Sequence, residues 1–240
     1  MILVPAALPE TRSGFRTLID RQLYPQVLGG LTAEALPAGA VRDTAVAAES
    51  ATVVIAGRLD CGSRAVGPGD GLYHPPGSRH RFTAAAPSVL LTVHARTGPA
   101  EPGPPSGPVP LARRPEDGAL TRAGGFAGMG VHWLATAQTV GTRRLALATS
   151  EFTPGGRHDR HRHPDADEFF LVLSGGGEHL TDAGPVRLGP GDLAYVPAGE
   201  WHGYRTWPDV STVALYGYLG AAGLSQAGYQ VQDRRTEEAS

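Results

Sequence analysis

The feature of this sequence that most constrains its fold is a fifteen-residue segment that occurs twice. Residues 66–80, VGPGDGLYHPPGSRH, return as residues 188–202, LGPGDLAYVPAGEWH, with eight identical positions and a constant offset of 122. That offset is about half of the 240-residue chain, so the repeated unit has the size of a domain rather than of a short solenoid repeat. The sequence therefore predicts two copies of one fold.

A proline-rich stretch separates the two copies. Six of the fourteen residues from Thr97 to Pro110 are proline, a composition typical of an extended connector. We therefore predict an N-terminal domain over residues 1–97 and a linker over 98–116. A C-terminal domain follows over residues 117–228, and a polar tail over 229–240.

Short β-branched or alternating runs, cut by glycine and proline, occur in both halves. This spacing predicts an antiparallel sandwich or a small barrel in each half. The predicted strands are Thr52–Ala56, Val89–His94, Leu145–Phe152, Phe169–Leu173, Leu193–Val196 and Val210–Leu219. Helical periodicity is weak, and we expect a single short helix over Phe15–Leu23.

The second half carries four metal-ligand types at short spacing. His161 and His163 are two residues apart, so they point to one face of a strand, and a Pro-Asp turn leads to Glu168 on the next strand. His202 follows a Pro-Ala-Gly turn and can reach the same interior point across a barrel. Three imidazoles and one carboxylate suit a divalent first-row metal and leave two octahedral positions open, which is typical of catalysis.

These residues resemble the two sequence motifs of the cupin superfamily, with Thr206 where an asparagine often closes the second motif. The resemblance implies an all-β chain of two cupin barrels, each a double-stranded β-helix or jelly roll. It implies one divalent metal per chain, with Fe²⁺ or Mn²⁺ favoured and Ni²⁺, Co²⁺ or Zn²⁺ as alternatives.

The first half lacks this ligand set. Aligned on its strand, the ligand positions fall on Asp43, Ala45 and Ser50, so that only His80 and Asp43 offer donors. Glu49 is one residue out of register, which turns a strand side chain to the opposite face. We predict that this half is metal-free and structural.

Strand parity also predicts the walls of the site. Phe170 and Val172 share the face of Glu168, and Tyr204 and Thr206 share the face of His202, so these four are the candidate substrate-binding residues. Glu168 and Tyr204 are the candidate catalytic residues.

Several other residues are weaker candidates for a functional role. His158 and Arg157 lie on a glycine-rich approach to the site, where side chains are more often solvated than catalytic. Cys61 and the histidines at 74, 94, 132 and 179 match no ligand or nucleophile spacing and are predicted to pack or to lie on the surface.

The resemblance favours an oxygen-dependent oxidoreductase, similar to quercetin dioxygenases, that acts on a small metal-chelating substrate. A metal-assisted hydrolase, isomerase or cyclase of a small polar metabolite is the first alternative, since a degenerate first cupin before a metal-bearing second one is also the plan of ureidoglycine aminohydrolase. A non-catalytic small-molecule-binding cupin is the second.

Charge and composition limit the partners. Basic and acidic residues number 21 and 23 without a basic stripe, so neither nucleic acid nor a membrane surface is an expected partner. With one cysteine and no export signal, the sequence predicts a cytoplasmic location. We expect a small-molecule substrate and either a monomer with an intramolecular cupin pair or a homodimer.

Overall fold

The computed structural model describes residues 1–9, 13–62, 64–96, 109–111 and 125–232. Most of the predicted linker, and residues 233–240 of the predicted tail, lie outside the described residues. In the part of the chain that is described, no helix is long and apolar enough to cross a membrane.

The chain forms two antiparallel sheets, one for each half of the sequence. The first strand, β1 (Ile2–Val4), belongs to the C-terminal sheet. The N-terminal sheet has eight strands: β2 (Gly14–Ile19), β3 (Gly29–Leu36), β4 (Val41–Ala45), β5 (Ser50–Asp60), β6 (Ala65–Val66), β7 (Gly71–His74), β8 (Arg79–Ala95) and β9 (Val109–Leu111). Its order is β2-β3-β8-β5-β7-β9, with β4 on β8 and β6 on β5.

The C-terminal sheet has ten strands in the order β1-β15-β12-β17-β11-β16-β13-β14, with β10 and β18 paired to β11. The strands that follow β9 are β10 (Phe126–Ala135), β11 (Leu145–Arg162), β12 (Asp167–Ser174), β13 (Gly177–Thr181), β14 (Gly184–Leu188), β15 (Leu193–Val196), β16 (His202–Thr206), β17 (Thr212–Leu219) and β18 (Gln230–Val231). A one-turn helix, α1 (Leu224–Ala227), precedes β18.

The predicted all-β architecture is confirmed, and each predicted strand lies within or overlaps an observed one. The predicted helix over Phe15–Leu23 is wrong, because residues 14–19 form β2 and pair with β3. Four apolar positions in nine residues are too few to specify a helix against that pairing. Phe15 is consequently 64% exposed on the outer strand, whereas Leu18 and Ile19 are buried.

One apolar cluster joins the two halves. Leu31, Val53 and Leu91 of the N-terminal sheet pack in the same cluster as Leu147 and Phe169 of the C-terminal sheet. Strand β1 adds to this junction, because it crosses to the C-terminal sheet and pairs with β15. The two barrels therefore share a core rather than having separate ones.

A pair of buried carboxylates holds the junction in a nearly symmetric way. Glu49 accepts hydrogen bonds from the Tyr73 hydroxyl at 2.7 Å and from the backbone N–H groups of Arg143 and Arg144 at 2.8 and 2.7 Å. Asp167 accepts them from the Tyr195 hydroxyl and the Leu28 backbone N–H, both at 2.6 Å. Each carboxylate thus binds a tyrosine of its own half and backbone of the other half.

Candidate metal centre

Two strands joined by a turn, together with one further strand, supply the four predicted ligands. His161 is the last residue but one of β11, His163 follows the end of that strand, and Glu168 lies at the start of β12 after a turn. His202 opens β16 and is the direct antiparallel partner of His161. This pairing places an imidazole from each strand at one level of the barrel interior.

The structure brings all four predicted residues together. One donor atom each from His161, His163, Glu168 and His202 can be chosen so that all four lie within 4.8 Å of one another. All four side chains are buried, with exposed fractions between 1% and 6%. Among the described residues, this is the only such group of histidine, cysteine and carboxylate donors.

Backbone carbonyls fix the tautomer of each imidazole. The Nδ1 atoms of His161, His163 and His202 lie 2.9, 2.6 and 3.0 Å from the carbonyl oxygens of Asp159, Gly228 and Glu200 respectively. A carbonyl only accepts, so each Nδ1 carries the proton and each Nε2 presents a lone pair to the cluster. This outer contact is the usual support of a metal-bound histidine.

The residues fit a cation by their chemistry. The three buried Nε2 atoms have no hydrogen-bond partner in the described structure. The Nε2 atoms of His163 and His202 lie 3.1 and 3.4 Å from Glu168 Oε2. Without a cation between them, the nitrogen lone pairs would face a negatively charged oxygen. A divalent ion among the four atoms would satisfy every one of these groups.

The electrostatics agree with a carboxylate held among imidazoles. Burial on its own would raise the pKa of Glu168, but His202 and His163 outweigh it and hold the pKa of this carboxyl well below its usual range. Against the effect of burial, the same carboxylate raises the pKa of His202. Burial, with His158 and His202 nearby, lowers the pKa of His161 well below its usual value.

The cluster opens into a cavity of about 240 Å³ in the C-terminal barrel. Its other walls are mostly aromatic and aliphatic: Phe126, Met129, Val131, Trp133, Phe152, Phe170, Tyr204, Tyr216, Tyr218, Leu224 and Tyr229. No arginine is among the residues that line it. The cavity therefore suits a small, largely apolar molecule with one metal-binding end.

The four residues proposed from strand parity differ in their placement. Phe170 and Tyr204 line the cavity, with ring centroids 4.6 Å apart, whereas Val172 and Thr206 are buried outside the lining. Thr206 Oγ1 instead donates to the Gly176 carbonyl at 2.9 Å and contacts Thr212. Burial raises the pKa of Tyr204 to about 12, so its hydroxyl stays protonated.

Several cavity residues were missed from the sequence. His158 stacks on His161 with ring centroids 3.7 Å apart, and its Nε2 lies 2.9 Å from the Tyr229 hydroxyl. A register shift in the β11–β16 pairing lies between His158 and His161, so a parity count could not place both rings together. Tyr229 lies in the predicted polar tail, and only the return of the chain as β18 brings it to the site.

His179 is a further departure from expectation. It matched no ligand spacing, yet it is 1% exposed, lines the cavity and stacks on His202 with ring centroids 5.8 Å apart. Burial lowers its pKa to about 3, so it is neutral. The strand pairing explains this position, because His179 is the partner of Tyr204 and so lies on the same face of the sheet.

The N-terminal half places different residues at the corresponding positions. Ser50 occupies the position of Glu168, as predicted. The alignment onto Asp43 and Ala45 is one residue off, because the strand partner of His80 is Thr44. Asp43 instead forms ion pairs with Arg79 and Arg81. Its carboxylate therefore pairs with two arginines rather than with His80.

Comparison with known proteins connects this geometry to a family. The cupin domain family matches residues 148–215, the segment that holds all four clustered residues. Residues 148–215 form a cupin domain.

Two relatives match parts of the chain. Dimethylsulfoniopropionate lyase DddQ of Ruegeria pomeroyi is 40% identical over 65 residues, 26% of this chain and 32% of that protein. Quercetin 2,3-dioxygenase of Bacillus subtilis is 31% identical over 101 residues, 42% of this chain and 29% of that protein. The matched segments thus span less than a third of each relative's length.

Solved structures resemble the chain over both halves. Oxalate decarboxylase of Bacillus subtilis superimposes with a TM-score of 0.69 at 17% identity, covering 91% of this chain and 75% of that chain. A second structure of that enzyme, from work on its Mn(II) centres, gives 0.69 at 16% identity over 96% and 79% of the two chains. At such identity the likeness establishes the fold, and this fold has two cupin barrels.

Proposed function

We propose that this bicupin is a metal-dependent enzyme that oxidises a small metal-chelating substrate with dioxygen. The observation that carries the proposal is the three-histidine, one-glutamate cluster facing a cavity with mostly apolar walls. His161, His163, Glu168 and His202 would hold one divalent ion. When bound, iron or manganese supplies Lewis acidity and one-electron chemistry with dioxygen.

The protein's own residues would bind the substrate and exclude water. Phe152, Phe170 and the Tyr204 ring form one aromatic wall, with centroids 4.6 to 6.3 Å apart. Trp133, Tyr216 and Tyr218 form a second, with centroids 5.9 to 6.2 Å apart. Such walls favour a flat apolar body and disfavour the bulk water that hydrolysis consumes.

Two residues are candidates for moving or holding a proton. Glu168 is ionised, so its carboxylate can accept a proton from an enol or phenol that approaches the cluster. Tyr204 keeps its proton and can orient the substrate through its ring. The cavity of about 240 Å³ limits the substrate to a small molecule.

The test is oxygen uptake by protein reconstituted with Fe²⁺ or Mn²⁺. The panel contains small phenolics and diketones, with polyols and ureides as polar alternatives, and His163→Ala is the matched control. We expect uptake with one of the chelating apolar compounds and none with the control. Undiminished turnover under strictly anaerobic conditions would contradict the proposal and favour hydrolysis or isomerisation.

A second candidate is a metal-assisted elimination. It is favoured by the 40% identity to a dimethylsulfoniopropionate lyase, together with the wall of Trp133, Tyr216 and Tyr218, whose ring faces can bind a cationic group. Anaerobic consumption of dimethylsulfoniopropionate, followed by proton NMR, distinguishes this reaction from oxidation. If neither compound class is consumed, the remaining alternative is a non-catalytic binding protein.

A further inference from the structure

The N-terminal barrel contains a cavity of its own, of about 390 Å³. It occupies the place that the metal cavity occupies in the other half. Ser50 is the strand partner of His94, just as Glu168 is the strand partner of Tyr218. His80, which corresponds to His202 in the repeat, also lines it.

The walls of this cavity differ from those of the metal cavity at several corresponding positions. Thr52 pairs with Thr92 in the N-terminal sheet, at the positions where Phe170 pairs with Tyr216 in the C-terminal sheet. His94 likewise stands where the C-terminal sheet has Tyr218. Aromatic rings have thus been replaced by hydroxyl and imidazole groups. A barrel that only fills space would have apolar side chains at such positions, because burying polar groups costs free energy.

The polar groups form a hydrogen-bonded network along the wall. The hydroxyls of Thr52 and Thr92 are 3.0 Å apart, and His74 Nε2 lies 3.2 Å from the Thr52 hydroxyl. On the neighbouring strand, the Thr32 hydroxyl lies 3.1 Å from His94 Nε2. Hydroxyls and neutral imidazoles both donate and accept, so this wall can match a ligand with hydroxyl groups.

The network is not fully satisfied by the protein. His74 is 0% exposed and His80 is 9% exposed, and the Nδ1 atom of each has no hydrogen-bond partner in the described structure. Both residues line the cavity. A buried ring nitrogen without a partner costs about 1 to 3 kcal/mol, which a ligand or ordered water would offset.

The wall carries no net charge. Among the residues that line the cavity, the charged side chains are Arg42 and Glu34, and they form an ion pair with each other. Burial lowers the pKa of His74 to about 3 and also lowers the pKa values of His80 and His94, so the three imidazoles are neutral near pH 7. A charged ligand would find no counter-charge here.

The same histidines are not arranged to bind a metal. The rings of His74 and His80 stack face to face, with centroids 3.8 Å apart and planes 20° from parallel, so their nitrogens do not converge. Ser50 also replaces the carboxylate ligand. Two phenylalanines complete the lining: Phe82, stacked on His80, and Phe15, which is 64% exposed.

We propose that the N-terminal barrel binds a small uncharged molecule rich in hydroxyl groups, of the polyol or monosaccharide class. The Thr32, Thr52, Thr92 and His94 side chains would hydrogen-bond its hydroxyls. Phe15 and Phe82 would contact its C–H faces. This site is separate from the metal centre and does not depend on the reaction performed there.

The test is saturation-transfer difference NMR on the full-length protein with ribose, glucose, erythritol and myo-inositol. Malonate and methylammonium serve as charged controls. We expect saturable binding of at least one uncharged compound and none of the charged ones. Thr52→Val is nearly isosteric and removes a hydroxyl that serves both Thr92 and His74, so it should weaken binding at least tenfold.

Two further variants make the outcome decisive. His161→Ala, which alters the metal centre, should leave the binding unchanged, and Thr92→Val replaces Thr52→Val if the latter does not fold. The proposal is overturned if none of the four uncharged compounds binds. It is equally overturned if binding persists in the folded N-terminal variants or is lost in His161→Ala, because the ligand would then occupy the metal cavity.

Discussion

Each imidazole of the metal cluster is held from behind by a backbone carbonyl, so its ligand nitrogen is aimed before any ion arrives. This preorganisation makes the three histidines and Glu168 act as one chelate rather than as independent contacts. Loss of a single member should therefore affect the whole site.

We predict that His163→Ala lowers metal content from about one divalent ion per chain to a small fraction of that value, because loss of one ligand in a chelate typically weakens affinity by about 10- to 100-fold or more. Inductively coupled plasma mass spectrometry on protein loaded with Fe²⁺ or Mn²⁺ and then desalted measures this. His80→Ala is the matched control and should retain full loading. Two ions per wild-type chain would show that the N-terminal barrel binds metal as well.

A second prediction at this scale concerns the buried neutral histidine His74. The pKa of His74 is about 3 in the folded protein and near 6.5 in the unfolded chain. Between these two pH values, the unfolded chain binds a proton at this residue that the folded chain does not. Stability should therefore fall on acidification, by about 2 kcal/mol at pH 5 from this residue. Urea unfolding of wild type and His74→Gln at pH 7 and 5 measures the difference. Parallel losses in both proteins would contradict it.

At the scale of elements, neighbouring residues of one strand serve opposite faces. Glu168 points into the C-terminal barrel, while Asp167 points to the junction and binds the Leu28 backbone. In the other half, Glu49 and Ser50 divide the same two roles. β5 thus has a junction carboxylate next to a serine, whereas β12 has a junction carboxylate next to the clustered Glu168.

We predict that Glu49→Ala destabilises the protein by about 3 kcal/mol, because it leaves two backbone N–H groups and the Tyr73 hydroxyl without their buried acceptor. Chemical denaturation followed by circular dichroism provides the measurement. Glu178→Ala, which removes a partly exposed pair with Arg205, is the control and should cost less than about 1 kcal/mol. Equal effects would mean that Glu49 does not stabilise the junction.

At the scale of the whole molecule, the two barrels depend on each other. Their largest apolar cluster draws residues from both sheets, and β1 crosses from one half to complete the other. Separating the halves would expose this cluster to water at about 25 cal/mol per Å² of apolar surface. The pair therefore behaves as one folding unit.

We predict that residues 1–96 and 125–232, expressed separately, are each unstable or aggregate, and that co-expression restores a soluble complex. Analytical ultracentrifugation and thermal unfolding of the separate and joint preparations measure this. Two stable monomeric fragments that do not associate with each other would contradict the shared core. The same preparations would test the predicted boundary between the domains.

The sequence by itself determined the features that depend on local spacing. The repeat predicted two similar β domains, and the alternation of β11, its turn and β12 predicted that His161, His163 and Glu168 would converge. The shift of Glu49 correctly indicated a side chain on the opposite face, because strand parity holds over one residue.

Tertiary structure decided what depends on register and on distant returns of the chain. A register shift in the β11–β16 pairing brings His158 onto His161, and β18 carries Tyr229 back to the cavity, although both were read as peripheral. Thr44, not Asp43 or Ala45, is the strand partner of His80, because pairing with β8 set the register of β4. Such choices depend on the free energy of packing distant strands together, which no short stretch of sequence contains.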